Sequence, residues 1–111
     1  MIEVYYIGQG DRLPYYRVQV RDKDGPYSLS GVTSAEFYLK NISTDSVIIS
    51  AAVMNIVDTL NGIMEYHWAV ADTAVIAEYA ARVLLKTASG EYSFPRNGIA
   101  KVIVEDKYSD D

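Results

Sequence analysis

Cysteine is absent from this chain of 111 residues, and it contains one histidine and three prolines. Without cysteine the chain cannot form a disulfide framework, a thiolate zinc site or a cysteine nucleophile. The remaining ligands for a metal would be carboxylates and the single imidazole of His67. The sequence therefore predicts neither a metal site nor another cofactor.

Positive charge is also scarce, since ten Lys and Arg stand against fifteen Asp and Glu, for a net charge of −5. Residues 105–111 hold four of the acids and one of the bases, which leaves eleven acids and nine bases, or −2, for the rest. Such a nearly neutral body offers no basic stripe for nucleic acid, and the strand-length apolar runs favour neither a membrane span nor a signal peptide. We expect one domain over residues 1–105 and an acidic tail over residues 106–111.

Alternation of apolar and polar residues is the main structural signal. It predicts strands over residues 2–7, 15–21, 34–40, 46–54, 63–70 and 99–105, with a shorter one at 92–94. Residues 55–57 either continue the strand before them or begin another short one. Turn-forming residues separate them at 22–26, 61–62, 89–90 and 95–98. Seven or eight short strands in this length predict a small antiparallel, immunoglobulin-like β-sandwich. Its predicted core contains Phe37, Leu39, Tyr66, Trp68, Tyr79, Val83 and Val102.

The segment from Ala71 to Thr87 is ambiguous, because its alanines and leucines favour a helix of about three turns. Against that, Tyr79, Ala81, Val83 and Leu85 alternate with more polar positions, as in a half-buried strand. We interpret the segment as a strand, with a helix over Ala71–Leu85 as the alternative.

Several residues resemble parts of catalytic or binding motifs without completing them. His67 has no nucleophile nearby in the pattern, so we expect an exposed strand residue that pairs with Glu65 or a cross-strand neighbour. The loop 22–25 lacks the remaining calcium ligands, and the loop 8–11 lacks the Lys and helix of a phosphate loop. The outward acids of the strands are expected to pair with bases such as Lys40 and Arg82 rather than to form a glycosidase site; these acids are Glu36, Glu65 and Glu78. No enzymatic activity is predicted.

Tyrosine is unusually abundant, with ten residues against two Phe and one Trp. Tyrosine suits pleated surfaces and also protein interfaces, where it combines a large face with a hydrogen-bonding tip. We predict a protein that works by association, with contacts to copies of itself or to a larger protein made by Tyr15 and Tyr38, together with Tyr5 or Tyr6. An alternative of another class is a carbohydrate-binding module in which Tyr15, Tyr38 and His67 form a platform for sugar rings.

The order of turn and strand signals resembles that of the N-terminal domain of phage baseplate upper proteins, over about residues 10–105. The resemblance rests on Gly10-Asp11, Asp24-Gly25, Ser30-Gly31, Phe37-Tyr38-Leu39, Asn61-Gly62, Tyr66 and Trp68, Asp72-Thr73, Glu78-Tyr79, Ser89-Gly90, Phe94-Pro95, and Gly98 before the closing Val-Ile-Val strand. The sequence departs from the family at Ala77, where a glycine is common, and in ending at residue 111 rather than continuing into a fibre or receptor-binding region.

The resemblance implies an immunoglobulin-like attachment module of a tailed phage or prophage, made in the bacterial cytoplasm and located in the virion. It further implies a place in the tail or baseplate and three or six copies around an axis. A head-decoration or neck protein is the alternative location. The family supplies no catalytic residues.

Overall fold

The computed structural model describes residues 2–13, 15–22, 25–26, 28–94 and 99–106. Most of these residues lie in β-strands. They form two layers that face each other across an apolar core, so the predicted all-β sandwich is confirmed. The strands are β1 (Ile2–Gly8), β2 (Tyr16–Gln19), β3 (Arg21–Asp22), β4 (Gly25–Pro26), β5 (Val32–Asn41), β6 (Val47–Val53), β7 (Asn55–Asp58), β8 (Ile63–Tyr66), β9 (Ala77–Thr87), β10 (Gly90–Phe94) and β11 (Ile99–Glu105).

The larger layer has the strand order β1-β11-β9-β5-β6, and β10 also pairs with β9. The smaller layer has the order β2-β8-β7, and β3 and β4 form a separate two-residue ladder. Two edges of the sandwich come close together because only Met54 separates β6, at one edge of the larger sheet, from β7, at one edge of the smaller sheet.

The strand predicted over Ala71–Thr87 is confirmed for Ala77–Thr87, which forms β9 with Tyr79, Ala81, Val83 and Leu85 buried. It is wrong for residues 71–76, which belong to no strand. Pairing on both sides of β9 outweighs the helix propensity of its alanines and leucines. Of the predicted core residues, Tyr66 is half-buried against the core, and the others are buried.

Two details of the prediction are wrong. The sheet is not wholly antiparallel, because β1 runs parallel to β11 from the Ile2–Ile99 pair to the Gly8–Glu105 pair. The strand predicted over residues 63–70 ends at Tyr66, and a short 3-10 helix occupies Val70–Thr73. The Asp72 carboxylate causes this turn, since it accepts hydrogen bonds from the Tyr66 hydroxyl at 2.6 Å and the Ala69 N–H at 2.8 Å.

The turn predicted at residues 61–62 is confirmed. Gly62 has a φ of 69° between β7 and β8, and Asp58 accepts hydrogen bonds from the Asn61 backbone and side-chain nitrogens. These bonds hold the pKa of Asp58 below its usual value. The predicted turn at 95–98, residues 23–24 of the turn at 22–26, and residues 107–111 of the acidic tail lie outside the described residues.

Candidate functional site

Five aromatic rings form a connected cluster between the two layers, beneath the candidate site. They are Tyr5, Tyr16, Phe37, Tyr66 and Trp68, with ring-centroid separations of 4.7 to 6.1 Å between neighbours. The Trp68 indole N–H donates a hydrogen bond to the Tyr5 hydroxyl at 3.3 Å. Burial raises the pKa of Tyr5, and this bond partly opposes the shift. The cluster gives the surface above it a rigid floor.

A depression of about 670 Å³ opens above this cluster, where the loop after β1 meets the end of β8. Its lining consists of Asp11, Arg12, Leu13, Tyr15, His67 and Trp68. Trp68 is almost fully buried, whereas Tyr15 is 40% exposed and Leu13 is 64% exposed. The depression thus combines an aromatic base, an aliphatic rim and one charged side chain of each sign.

The Tyr15 and His67 rings stack in this depression, with their centroids 3.7 Å apart and their planes inclined by 17°. His67 also lies beside Glu65, with 3.6 Å between Nε2 and Oε1, and Glu65 forms an ion pair with Arg17 at 3.4 Å. The expected contact between His67 and Glu65 is therefore present. The carbohydrate-binding alternative placed Tyr15 and His67 on one surface, but it did not predict that the two rings stack across 52 positions of sequence.

The loop that carries one wall of the depression is anchored by backbone hydrogen bonds. Gln9 N–H donates to the Glu105 carbonyl at 2.8 Å, and Gly10 N–H donates to the Thr73 carbonyl at 2.9 Å. The buried Thr73 hydroxyl in turn donates to the Asp11 carbonyl at 2.9 Å. The wall of the depression is thereby tied to the end of β11 and to the 3-10 helix.

The four tyrosines predicted as contact residues do not share one surface. Tyr5 is half-buried in the aromatic cluster, while its neighbour Tyr6 is 58% exposed on the edge strand β1. Tyr15 lies in the depression, and Tyr38 lies half-buried on the outer face of β5, where its hydroxyl donates to Glu36 at 3.2 Å. Burial, together with this bond, raises the pKa of Tyr38. A single platform of Tyr15, Tyr38 and His67 is therefore not formed.

A second candidate surface, which sequence reasoning missed, is the flank where β6 and β7 form adjacent edges. Its exposed apolar side chains are Val47, Ile48, Val53, Ile56, Val57 and Leu60. In the described part of the chain, no strand pairs with the outer edge of β6 or of β7. Residues 46–57 contain no charged residue, and this run is the sequence signal that could have identified the flank.

The outward acids of the strands are ion-paired, although with bases other than Lys40 and Arg82. Glu36 pairs with Lys86 at 3.4 Å, and Glu78 pairs with Lys101 at 3.2 Å. Lys40 contacts Asp45 instead, at 2.9 Å. The pairs of Glu36 and Glu78 lie across neighbouring strands, whereas Asp45 belongs to the turn between β5 and β6. All three pairs are partly exposed, so each contributes little to stability.

No known protein family matches this chain, and no curated protein shows significant sequence similarity to it. The described residues include no cluster of three or more His, Asp and Glu side chains arranged to hold a metal ion. Within the same part of the chain, no helix has the length and apolar character needed to cross a membrane.

Proposed function

We propose that this protein is a non-enzymatic structural component of a tailed phage or prophage virion, placed in the tail or baseplate, and that it works by protein association. The resemblance to phage baseplate upper proteins supports the class of particle. The flank of β6 and β7 carries the association part of the proposal, because it presents two strand edges side by side that expose apolar side chains and carry no charge over residues 46–57.

Exposed strand edges are normally protected by charges, prolines or a covering segment, since unpaired backbone groups invite another strand. The flank contains neither charge nor proline over residues 46–57, and Val53 is 78% exposed. Burial of such side chains against a partner contributes about 25 cal/mol per Å² of apolar area. This flank therefore has the composition of a surface that is covered in an assembly.

The flank is better suited to side-chain packing than to a long backbone ladder. The register between β5 and β6 shifts twice, and Ala51 has a φ of 56°, so β6 is not a regular template. A neighbouring copy would accordingly be held mainly by contacts with Val47, Val53 and Leu60.

The opposite edge of the larger sheet supplies a matching surface on the next copy. There, β1 exposes Val4 and Tyr6, at the far end of the strand order from β6. A contact between the flank of one copy and the β1 edge of the next is heterologous, and repetition of such a contact closes into a ring when the rotation permits. This arrangement gives Tyr6 the contact role predicted for a first-strand tyrosine, and it would produce the cyclic symmetry that the resemblance implies.

Mass spectrometry of purified particles tests the virion role. Particles are induced from a bacterial strain that encodes this chain, and the chain is expected in the purified fraction at several copies per particle. Immunogold labelling at the tail end supports the baseplate location, and labelling on the head or neck supports the alternative location. Absence of the chain from purified particles refutes the virion role.

The substitution Val53→Asp tests the flank, because it places a charge on an apolar edge without touching the core. The folded variant is expected to lose incorporation into particles. Val75→Asp is the matched control, since Val75 is 59% exposed but belongs to neither edge strand. Normal incorporation of folded Val53→Asp excludes the flank as a contact.

A mixing experiment tests the heterologous geometry. The Val53→Asp and Tyr6→Ser variants are each expected to stay monomeric at concentrations where the unmodified chain associates. A mixture of the two retains one intact flank and one intact β1 edge, so dimers are expected in the mixture only. Dimers in the Tyr6→Ser sample alone contradict a contact through β1.

A further inference from the structure

We propose that the depression above the aromatic cluster binds a neutral saccharide, with one pyranose ring packed on the Tyr15 and His67 pair. This site is separate from the association surfaces above, because its lining includes neither the flank of β6 and β7 nor Tyr6. The proposal does not depend on the virion role, since it follows from the shape and chemistry of the depression alone.

The size of the depression suits a small ligand. Its volume of about 670 Å³ falls within the range of roughly 300–1,000 Å³ that is usual for small-molecule sites. Its floor is the buried Trp68, and its rim is the exposed Leu13. Since it is open to solvent, it admits one ring of a longer chain while the neighbouring rings remain outside.

The stacked pair supplies an apolar platform of fixed orientation. Tyr15 is 40% exposed, and the His67 side chain is 48% exposed, so both rings remain accessible although they cover each other on one side. One face of a pyranose ring presents C–H groups with a small positive charge, and these are attracted to the negative face of an aromatic ring. The platform therefore matches a sugar ring in size and in charge distribution.

The polar residues of the wall distinguish a sugar from a purely apolar ligand. Arg12 can only donate hydrogen bonds and the ionised Asp11 side chain can only accept them, whereas a sugar hydroxyl does both. The lining carries one positive and one negative side chain, Arg12 and Asp11, so it offers no net charge to attract a charged sugar. The lining thus favours a neutral saccharide.

The wall of the depression and the His67 ring are held in place before any ligand binds. The wall is fixed by the hydrogen bonds from Gln9 to Glu105, from Gly10 to Thr73 and from Thr73 to Asp11. His67 is oriented by Glu65, which is itself paired with Arg17. Little ordering is therefore required on binding, and this lowers its entropic cost.

The chain provides its own reporters for a binding experiment, since its only tryptophan and its only histidine both line the depression. Each gives a single set of side-chain signals in an NMR spectrum. The full chain is titrated with hexasaccharides of glucose, mannose, galactose and N-acetylglucosamine, each to about 5 mM, a concentration that detects dissociation constants in the millimolar range. At least one neutral oligosaccharide is expected to shift the Trp68 indole and His67 imidazole signals in a saturable way.

Variants then locate the binding. Tyr15→Ala is expected to weaken the responding sugar about three- to tenfold, the equivalent of one lost ring contact. His67→Ala should have a similar effect, which is followed through the indole signal. Val75→Ala is the control, since Val75 is exposed, lies outside the depression and belongs to neither association surface, and it should bind as the unmodified chain does.

Three results overturn the proposal. The first is the absence of any saturable shift across the neutral panel. The second is binding that persists unchanged in folded Tyr15→Ala. The third is a response only to oligogalacturonate or to a proline-rich peptide, which would assign the depression to an acidic sugar or to a protein segment.

Discussion

The substitution Trp68→Ala removes the ring that lies both in the core and in the lining of the depression. The resulting loss in the free energy of unfolding can be estimated from the packing of the indole. The indole is 4% exposed and lies within about 6 Å, between ring centroids, of four other aromatic rings. Loss of a buried Trp costs about 3–5 kcal/mol, and the contacts with the four neighbouring rings are part of what is lost. Because water can enter the vacated volume from the depression, we expect the lower half of that range.

Urea unfolding followed by far-ultraviolet circular dichroism measures this cost, since the variant has no tryptophan fluorescence. Trp68→Phe separates the ring from its N–H group, and loss of the bond to the Tyr5 hydroxyl should cost about 0.5–1.5 kcal/mol on top of the smaller ring. Tyr15→Ala serves as a surface control, because Tyr15 lies outside the cluster of five rings. A cost below about 0.5 kcal/mol for Trp68→Ala would place the indole at the surface and refute the reasoning.

Two hydrogen bonds of the site give further predictions. Burial and the bond to Asp72 raise the pKa of Tyr66 in the folded state. The protonated hydroxyl therefore contributes fully to the free energy of unfolding below about pH 10, the pKa of tyrosine in the unfolded chain, and this contribution is lost as the pH rises above it. In urea unfolding, the free energy of unfolding of Tyr66→Phe should therefore differ from that of the unmodified chain most near pH 8 and least near pH 11. Parallel pH profiles of the two proteins would contradict a raised pKa of Tyr66. Thr73→Val removes the buried hydroxyl that donates to the Asp11 carbonyl and should destabilise the fold by about 1–3 kcal/mol in the same assay; a change below about 0.5 kcal/mol would show that this bond does not anchor the loop.

Side-chain alternation predicted the fold class because each residue of a strand reports which face is buried. In β9, the positions of Tyr79, Val83 and Leu85 were sufficient to favour a strand over a helix. Strand direction leaves no such local trace, so the parallel pairing of β1 with β11 could not be derived from residues 2–8 or 99–105. The end of β8 at Tyr66 was missed because it depends on the Asp72 side chain, six residues further on.

The depression was less predictable than the fold because it combines residues from two distant segments. His67 and Trp68 were predicted as outward and inward residues of a strand that in fact ends at Tyr66, and nothing local brings Tyr15 onto His67. Arg12 and Leu13 belong to a loop without periodicity, so their contribution depends on how the loop is anchored at Thr73. The flank, in contrast, could have been predicted from the sequence, because residues 46–57 contain no charge. This run was interpreted only as evidence for a strand.

Parallel pairing of the first and last strands has a mechanical consequence. Ile2 and Glu105 lie at opposite ends of the β1–β11 ladder, about 20 Å apart along the strand axis. A tension applied at these two residues pulls β1 and β11 in opposite directions along their common axis. All seven residue pairs of the ladder are then loaded together in shear, whereas an antiparallel ladder pulled at one end would open one pair at a time. The resistance of the domain to stretching is thus set by this one pair of strands, and slow forced unfolding is expected even where the equilibrium stability is ordinary.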